Sequence, residues 1–311
     1  MGVRSMCTYV QTPDISILID AGVSCHTGSG TLPHPLEYEA LVRKRGEILS
    51  LSRDTDLVVV SHYHIHHFSL PVEDLSTVFC TAQMSDEIFS GKALFCKDPS
   101  SHVTRTQRMR GLDFHRVYGK SASTYEVVDG KSYDFGGTRI SFSQPLWHGP
   151  EGTVQGYVVG TCIRDGEGCV VHASDVQMLN RGCVDWMLDQ EPDVAIAAGP
   201  PFFDPERVGE KEEKIATLFL RRLSEGVPRV VVDHQVLRSD DWPRFFENGG
   251  RNVMCAARFE GLKPLPLESM REELYMREEV EEGFHEKLAR RELPDRIREI
   301  IMEEGLEDYF K

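Results

Sequence analysis

Residues 61–68 read Ser-His-Tyr-His-Ile-His-His-Phe, placing His62, His64, His66 and His67 directly after the apolar run at 57–60. Four imidazoles in six positions have little packing rationale. On a tight strand-to-loop turn they can converge on a cation, because neutral imidazole is a common ligand for zinc and other transition metals. A cation held there lowers the pKa of bound water toward about 7 and polarises a carbonyl or phosphoryl oxygen, which is the chemistry of hydrolysis. Such a site needs ligands from elsewhere in the chain, at places where apolar strands end in a polar side chain. Three places qualify: Trp147-His148-Gly149, Cys169 to Asp175, and Val230-Val231-Val232-Asp233-His234. The competing reading, an accidental or interface histidine tract, accounts for the cluster but not for these three further strand ends.

The elements that would position these residues follow from hydrophobic period and turn signals. Tyr9-Val10 and Ile15 to Asp20 read as strands around a Pro13-Asp14 turn, and Tyr38, Leu41, Val42 and Ile48 follow a helical period. Leu57 to Val60 is expected to be a strand buried on both faces. Val78-Phe79-Cys80 is expected to be a further strand, and residues 102–114 a surface-facing helix. From Thr124 to Ser143 and from Gln155 to His172, segments broken by Asp129-Gly130, Gly136-Gly137 and Asp165-Gly166 predict antiparallel strands. Helix, strand, helix, strand then follow at about 176–188, 194–197, 206–225 and 230–232. Strand-rich segments bracketed by helices in both halves suit two mixed sheets packed face to face with helices outside. From Leu267 the chain turns to charged helix formers, with Leu274, Val280, Phe284 and Leu288 forming one apolar stripe and Ile297, Ile300 and Ile301 another after Pro294. Residues 1–265 are therefore expected to form one domain and 266–311 a helical extension packed on it, whose stripes would also suit a homodimer interface.

The ordered set of His62, His64, His66 and His67, then His148, Asp175 and His234, resembles the metallo-β-lactamase superfamily, whose H-x-H-x-D-H motif is followed by a distant His, an Asp and a final His. The resemblance covers most of residues 15–235 and implies an α/β fold, a four-layer αββα sandwich of two mixed β-sheets. Ile17 to Gly22, Gly199-Pro200-Pro201 and Asp233-His234-Gln235 are more narrowly similar to an uncharacterised archaeal branch of metal-dependent hydrolases, for which resemblance implies fold and metal site but no reaction. Carried over by position, His62, His64 and His148 would form a first site, Asp175 would bridge, and His67 and His234 would complete a second. The chain departs from the pattern at His66, where the family has an Asp that binds the second metal and orients the nucleophilic water. Three readings follow: His66 is itself a ligand, or it points away and only the first site fills, or catalysis is lost. With His66 as ligand, His66 and Asp175 are the catalytic candidates. Asp20 would by the same resemblance lie beneath the site and bond a ligand histidine, and otherwise reads as a turn residue before Gly22. The implied cofactor is zinc, one or two ions, with iron or manganese as alternatives.

His34 and His172 could support the site from outside, although a satisfied core or loop histidine is the simpler reading of each. His26, His102, His115 and His285 carry no signal. Gly199-Pro200-Pro201-Phe202-Phe203 reads as a rigid loop after a strand, or as one wall of an active-site mouth.

At 311 residues with 40% hydrophobic content the chain can bury a large core. Fifty acidic residues against 35 basic ones give a net charge of −15, which disfavours a general nucleic-acid binder. Arg105, Arg108 and Arg110 could still form a local basic patch, so a nuclease is the second hypothesis. A di-iron oxidoreductase is a third, although the iron redox branch of the superfamily has Glu at the position of His64 and an attached flavin domain, and this chain has neither. A metal-stabilised scaffold without catalysis is a fourth, favoured by His66. The eight cysteines lack a CxxC pair and read as small buried apolar residues. No apolar run reaches the roughly 18 residues of a membrane span and no leader segment is recognisable, so a cytoplasmic enzyme acting on a small molecule is expected.

Overall fold

The computed structural model describes residues 2–25 and 30–310. His26 lies outside the described residues. Five strands form the first sheet in the order β1–β5: β1 (Thr8–Gln11), β2 (Ser16–Ile19), β3 (Leu57–Val60), β4 (Ala93–Cys96) and β5 (Thr124–Val127). β1 and β2 are antiparallel and the remainder parallel. The second sheet has the order β14-β13-β12-β11-β10-β7-β6, from β6 (Ser132–Phe135), β7 (Thr138–Phe142), β10 (Thr161–Arg164), β11 (Cys169–His172), β12 (Val194–Ala197), β13 (Arg229–Val232) and β14 (Val253–Met254). β8 (Leu146–Trp147) and β9 (Tyr157–Val158) pair separately.

Alternation along the strands builds the layers. In β3, Leu57 and Val59 join Ile17, Ile19 and Phe95 against Ile140, Phe142 and Ile163 of the second sheet, forming the interior of the sandwich. Val58 and Val60 point the other way, into a core shared with α1 (Pro35–Arg53), α2 (Ala82–Phe89) and α3 (Arg105–Tyr118). On the far side, Val171, Ala195, Val230 and Val232 pack under α4 (Arg181–Asp189), α5 (Glu210–Gly226) and α6 (Trp242–Gly249). The result is the four-layer αββα sandwich of the metallo-β-lactamase type. Burial of both faces of β2 and β3 explains why these strands read as continuous apolar runs.

Several expectations need correction. Val78-Phe79-Cys80 is not a strand, since only an isolated bridge joins Asp74 and Cys80, and the fourth strand is Ala93–Cys96. The carbonyls of Val78 and Phe79 are taken by the buried Arg45 guanidinium at 2.8 and 3.2 Å, which stands in for a ladder partner. Thr124 to Ser143 is not one antiparallel run: β5 lies parallel to β4 in the first sheet, and Gly130, at φ +69°, turns the chain over to the second. The helix expected from 176 begins at Arg181, capped by Asn180, because the preceding residues belong to a loop with Ser174 and Met178 in the left-handed region. The helix at 102–114 is not simply surface-facing, since Gln107, Gly111, Phe114 and Tyr118 are buried. All eight cysteines are free, and all but Cys7 are buried.

The last part of the chain forms α8 (Arg271–Arg277), α9 (Phe284–Ala289) and α10 (Asp295–Glu303), following the short α7 (Ala256–Phe259). Phe284, Leu288, Ile297, Ile300 and Ile301 share a core with Tyr38, Leu41, Val42 and Ile48 of α1. Arg271 clamps this segment through two 2.7 Å bonds to Glu37. The apolar stripes that suggested a dimer interface are thus used within the chain. Among the described residues, no helix is long and apolar enough to cross a membrane.

Ile297 is fully buried against α1, so Ile297→Ala is expected to cost about 2–5 kcal/mol of unfolding free energy. Denaturant unfolding checks this, and a loss below about 1 kcal/mol would mean that α10 is not part of the core.

Candidate metal centre

Every residue of the centre follows the C-terminal end of a strand. Asp20 follows β2, Ser61 to His67 follow β3, His148 follows β8, Ser174 and Asp175 follow β11, and His234 follows β13. In open α/β sheets this edge is where strands release the chain into loops and ligands gather. Three of the positions, Asp20 (φ 54°), Ser174 (φ 50°) and His234 (φ 60°), are non-glycine residues in the left-handed region. Strain of this kind persists where surrounding contacts over-determine it. Gly22 makes the closest approach possible, since a Cβ there would lie 2.4 Å from the Phe68 amide nitrogen and 2.5 Å from the His67 carbonyl carbon.

Asp175 is the hub, fully buried with imidazole nitrogens around both oxygens. Oδ2 lies 3.0 Å from His148 Nε2, 3.3 Å from His66 Nε2, 3.7 Å from His62 Nε2 and 3.8 Å from His64 Nδ1. Oδ1 lies 3.1 Å from His67 Nε2 and 3.6 Å from His234 Nε2. Two four-donor groups result, His62, His64, His148 and Asp175 in one and His66, His67, Asp175 and His234 in the other. All seven sequence-derived candidates are therefore brought together, and His66 turns inward, its Nε2 3.0 Å from His234 Nε2.

These separations test whether a metal fits. Donors tetrahedrally arranged at about 2.0–2.1 Å from one ion stand about 3.3 Å apart, close to the spacings found. His67 Nε2 and Asp175 Oδ1 face each other as an ion pair at 3.1 Å, but neither makes a well-aligned hydrogen bond among the described residues. Buried polar atoms rarely go unsatisfied, and a cation between this pair would satisfy both. The donor set fits.

Asp20, Ser61 and Ser174 set the orientation of the rings. Asp20 Oδ1 accepts from the Ser61 amide at 2.8 Å, and Oδ2 accepts from His67 Nδ1 at 2.8 Å, with the Ser61 and Ser174 hydroxyls each at 2.7 Å. His62 Nδ1 lies 3.0 Å from Ser61 Oγ. With Nδ1 engaged as donor on both rings, Nε2 of His62 and His67 is directed inward, the tautomer a ligand needs. Burial, reinforced by neighbouring imidazoles, holds His62, His64, His66 and His234 below the usual histidine range, so their lone pairs are free. His67 differs: burial disfavours its cation, but Asp175 and Asp20 outweigh this and raise it to about 10. Burial also opposes the charge of Asp175, which the surrounding histidines nonetheless hold well below the carboxylate range.

Sequence reasoning missed the supporting polar groups. Ser61 and Ser174 adjoin candidate ligands in sequence, but nothing local marks them as partners of Asp20. Gln107 Nε2 lies 3.0 Å from His64 Nε2 and donates to the Gln155 carbonyl at 2.9 Å. Its only sequence signal is an i, i+4 register with Gly111, which packs α3 on the Tyr63 ring. Of the remaining histidines, His34 caps α1 and His172 Nε2 donates to the Met6 carbonyl at 2.9 Å, so both have structural roles. Phe203 of the Gly-Pro-Pro loop lines the cleft above the centre and carries the Arg238 guanidinium 3.3 Å over its ring. That cleft, of about 1350 Å³, reaches His64, His66 and His148 at its floor and α8 at its rim.

The chain is 35% identical over 283 residues to the UPF0282 protein of Pyrococcus abyssi, covering 91% of this chain and 92% of the relative. The chain belongs to the UPF0282 family. The family member from Methanopyrus kandleri is likewise 35% identical over 281 residues, covering 88% of this chain and 95% of its own length. No family model matches. Among solved structures, the metallo-beta-lactamase fold protein YhfI from Bacillus subtilis is similar at 14% identity and a TM-score of 0.44, over 74% of this chain and 78% of that one. For this UPF0282 protein the fold therefore rests on its own sheet order and layering.

Gly22→Ala would force backbone against backbone and is expected to cost about 3 kcal/mol or more, with thermal unfolding as the check; a neutral result would show that the His66–Phe68 segment can withdraw. A second expectation concerns acid. Glu268, at the cleft wall, is half-buried, which opposes its charge, but Arg4 and Arg238 hold its pKa at about 2 against 4.5. A carboxylate depressed in the folded state stabilises above its unfolded pKa and loses that contribution as pH falls. Stability should decline between pH 4.5 and 2 with a shallower slope in Glu268→Gln; identical slopes would remove Glu268 from the acid response.

Proposed function

We propose that the protein is a metal-dependent hydrolase acting on an ester-type small-molecule substrate, a phosphodiester, lactone or thioester. The observation that carries this is the shared carboxylate, Asp175, which belongs to both four-donor groups. His62, His64 and His148 with Asp175 would hold one ion, and His66, His67 and His234 with Asp175 a second. The all-imidazole and carboxylate donor set suits zinc and also accommodates iron or manganese. A metal bound there supplies a nucleophile at neutral pH by lowering the pKa of its water, and polarises the bond to be cleaved.

The protein's own contribution is orientation and charge. Asp175 places one oxygen toward each group, and its low pKa keeps it an anion throughout the neutral range. Asp20 holds His67 in position and, as a buried anion, offsets positive charge gathered above it. His66 has a depressed pKa and an inward Nε2, which supports the ligand reading and argues against a role as a strong proton acceptor. Gln107 and Gln155 on the flank, and Phe203 above, narrow the approach to the centre.

A nucleic-acid substrate has less support. The basic patch expected from the sequence divides, Arg105 and Arg108 being exposed while Arg110 is half-buried and lines the cleft.

Elemental analysis of protein purified without added metal is the test. Two equivalents per chain falling to about one in His66→Ala are expected. Hydrolysis of bis(p-nitrophenyl) phosphate, a lactone or a thioester should disappear on chelation and return with zinc. Absence of bound metal even after reconstitution would overturn the proposal and leave a scaffold protein.

A further inference from the structure

Five arginines line the cleft, and four of them are already neutralised. Arg4 and Arg238 share Glu268, Arg207 pairs with Asp204 at 2.9 Å, and Arg271 pairs with Glu37 at 2.7 Å. The fifth, Arg110, has no carboxylate partner among the described residues. Among the described residues its one hydrogen bond is a long contact, 3.5 Å from Nη1 to the Tyr63 carbonyl. Burial alone pulls its pKa down. A guanidinium that is half-buried without a counter-charge is costly in the folded state. An always-charged group kept in that condition beside the histidine cluster is a mark of ligand recognition.

Its position is set by the packing of α3. Gly111 lets the helix rest on the Tyr63 ring, where a Cβ would come within 2.6 Å of the ring edge. Gln107, one turn before Arg110, reaches His64. Residues three apart on a helix are surface neighbours, with Cβ atoms about 5–6 Å apart, so Arg110 stands next to the group that touches the metal centre. The acids of the cleft without an ion pair among the described residues, Glu206, Asp240 and Glu272, come from the 204–207 loop, the turn after Arg238 and α8, and none from α3.

We propose that Arg110 forms an oxyanion subsite, so that the substrate carries a phosphate or carboxylate group that docks on the α3 wall while its scissile bond lies over the histidine cluster. This deepens the hydrolase reading by assigning the substrate a charge. The planar guanidinium offers a fork of donors that matches either oxyanion in a bidentate fashion. Arg105 and Arg108, exposed on other parts of the same helix, have no part in it.

The test is titration calorimetry of the full chain with inorganic phosphate and, separately, acetate, on metal-free and zinc-loaded protein. In the metal-free protein, Arg110→Gln should weaken binding of the preferred anion about tenfold or more, Arg110→Lys should restore part of the loss, and Arg105→Gln should change it less than twofold. Tighter phosphate binding would name a phosphoryl group and tighter acetate binding a carboxylate; both support the subsite. Metal content and unfolding midpoint of Arg110→Gln should match the parent protein, separating lost recognition from lost structure. An affinity within twofold of the parent in Arg110→Gln, or an equal loss in Arg105→Gln, overturns the proposal, including the case in which phosphate binds only when zinc is present. Because the metal-free arm does not depend on bound zinc, Arg110-dependent binding in a protein that takes up no metal would keep the subsite and remove the hydrolase reading.

Discussion

Two carboxylates with no solvent exposure, Asp20 and Asp175, lie beneath and among six histidines, and the centre depends on how their charge is compensated. An isolated buried carboxylate would take up a proton rather than stay charged. Here His67 connects the two, its Nδ1 bonded to Asp20 and its Nε2 facing Asp175. The imidazolium that results at neutral pH balances one of the two negative charges. A divalent ion in place of that proton would balance more, and would also satisfy the atoms of His67 and Asp175 that lack a well-aligned hydrogen bond among the described residues. The arrangement thus balances its own charge and presents a donor set suited to a metal ion.

Holding two carboxylates and six rings in one place imposes demands on the backbone. Strand ends from both sheets must meet at one edge, and three of them do so through residues in the left-handed region. The turn carrying His66 and His67 passes so close to β2 that only glycine fits at position 22. Such local costs are tolerated because the strands behind them are buried on both faces and resist displacement.

The C-terminal helices contribute to two parts of the molecule at once. Their apolar faces complete the core over α1, while Glu268 and the residues that follow it form part of the cleft rim. Core packing and the shape of the approach to the centre are therefore coupled through one segment. The wall opposite in origin, α3, is held by Tyr63 and Gly111, so residues adjoining the histidine turn also determine where Arg110 stands.

Much of this was legible in the residues themselves. Clustered histidines after an apolar run, and three later strand ends finishing in His or Asp, are local patterns, and local patterns survive in a linear reading because strand alternation and turn chemistry act over a few positions. The sandwich and all seven converging side chains could be named that way. What the linear reading could not decide depended on contacts between distant segments. Val78 to Cys80 has strand-like residues, but Arg45 takes its carbonyls; β5 has a hairpin-like exit, but pairs with the other sheet. The inward turn of His66, the Ser61 and Ser174 bonds to Asp20, the burial of stripes that suggested a dimer, and the lack of a carboxylate partner for Arg110 among the described residues are likewise properties of neighbours far apart in sequence. Side-chain type and spacing determined which chemistry was available; only the tertiary structure decided which groups were left without partners, because satisfaction of a buried charge depends on everything packed around it.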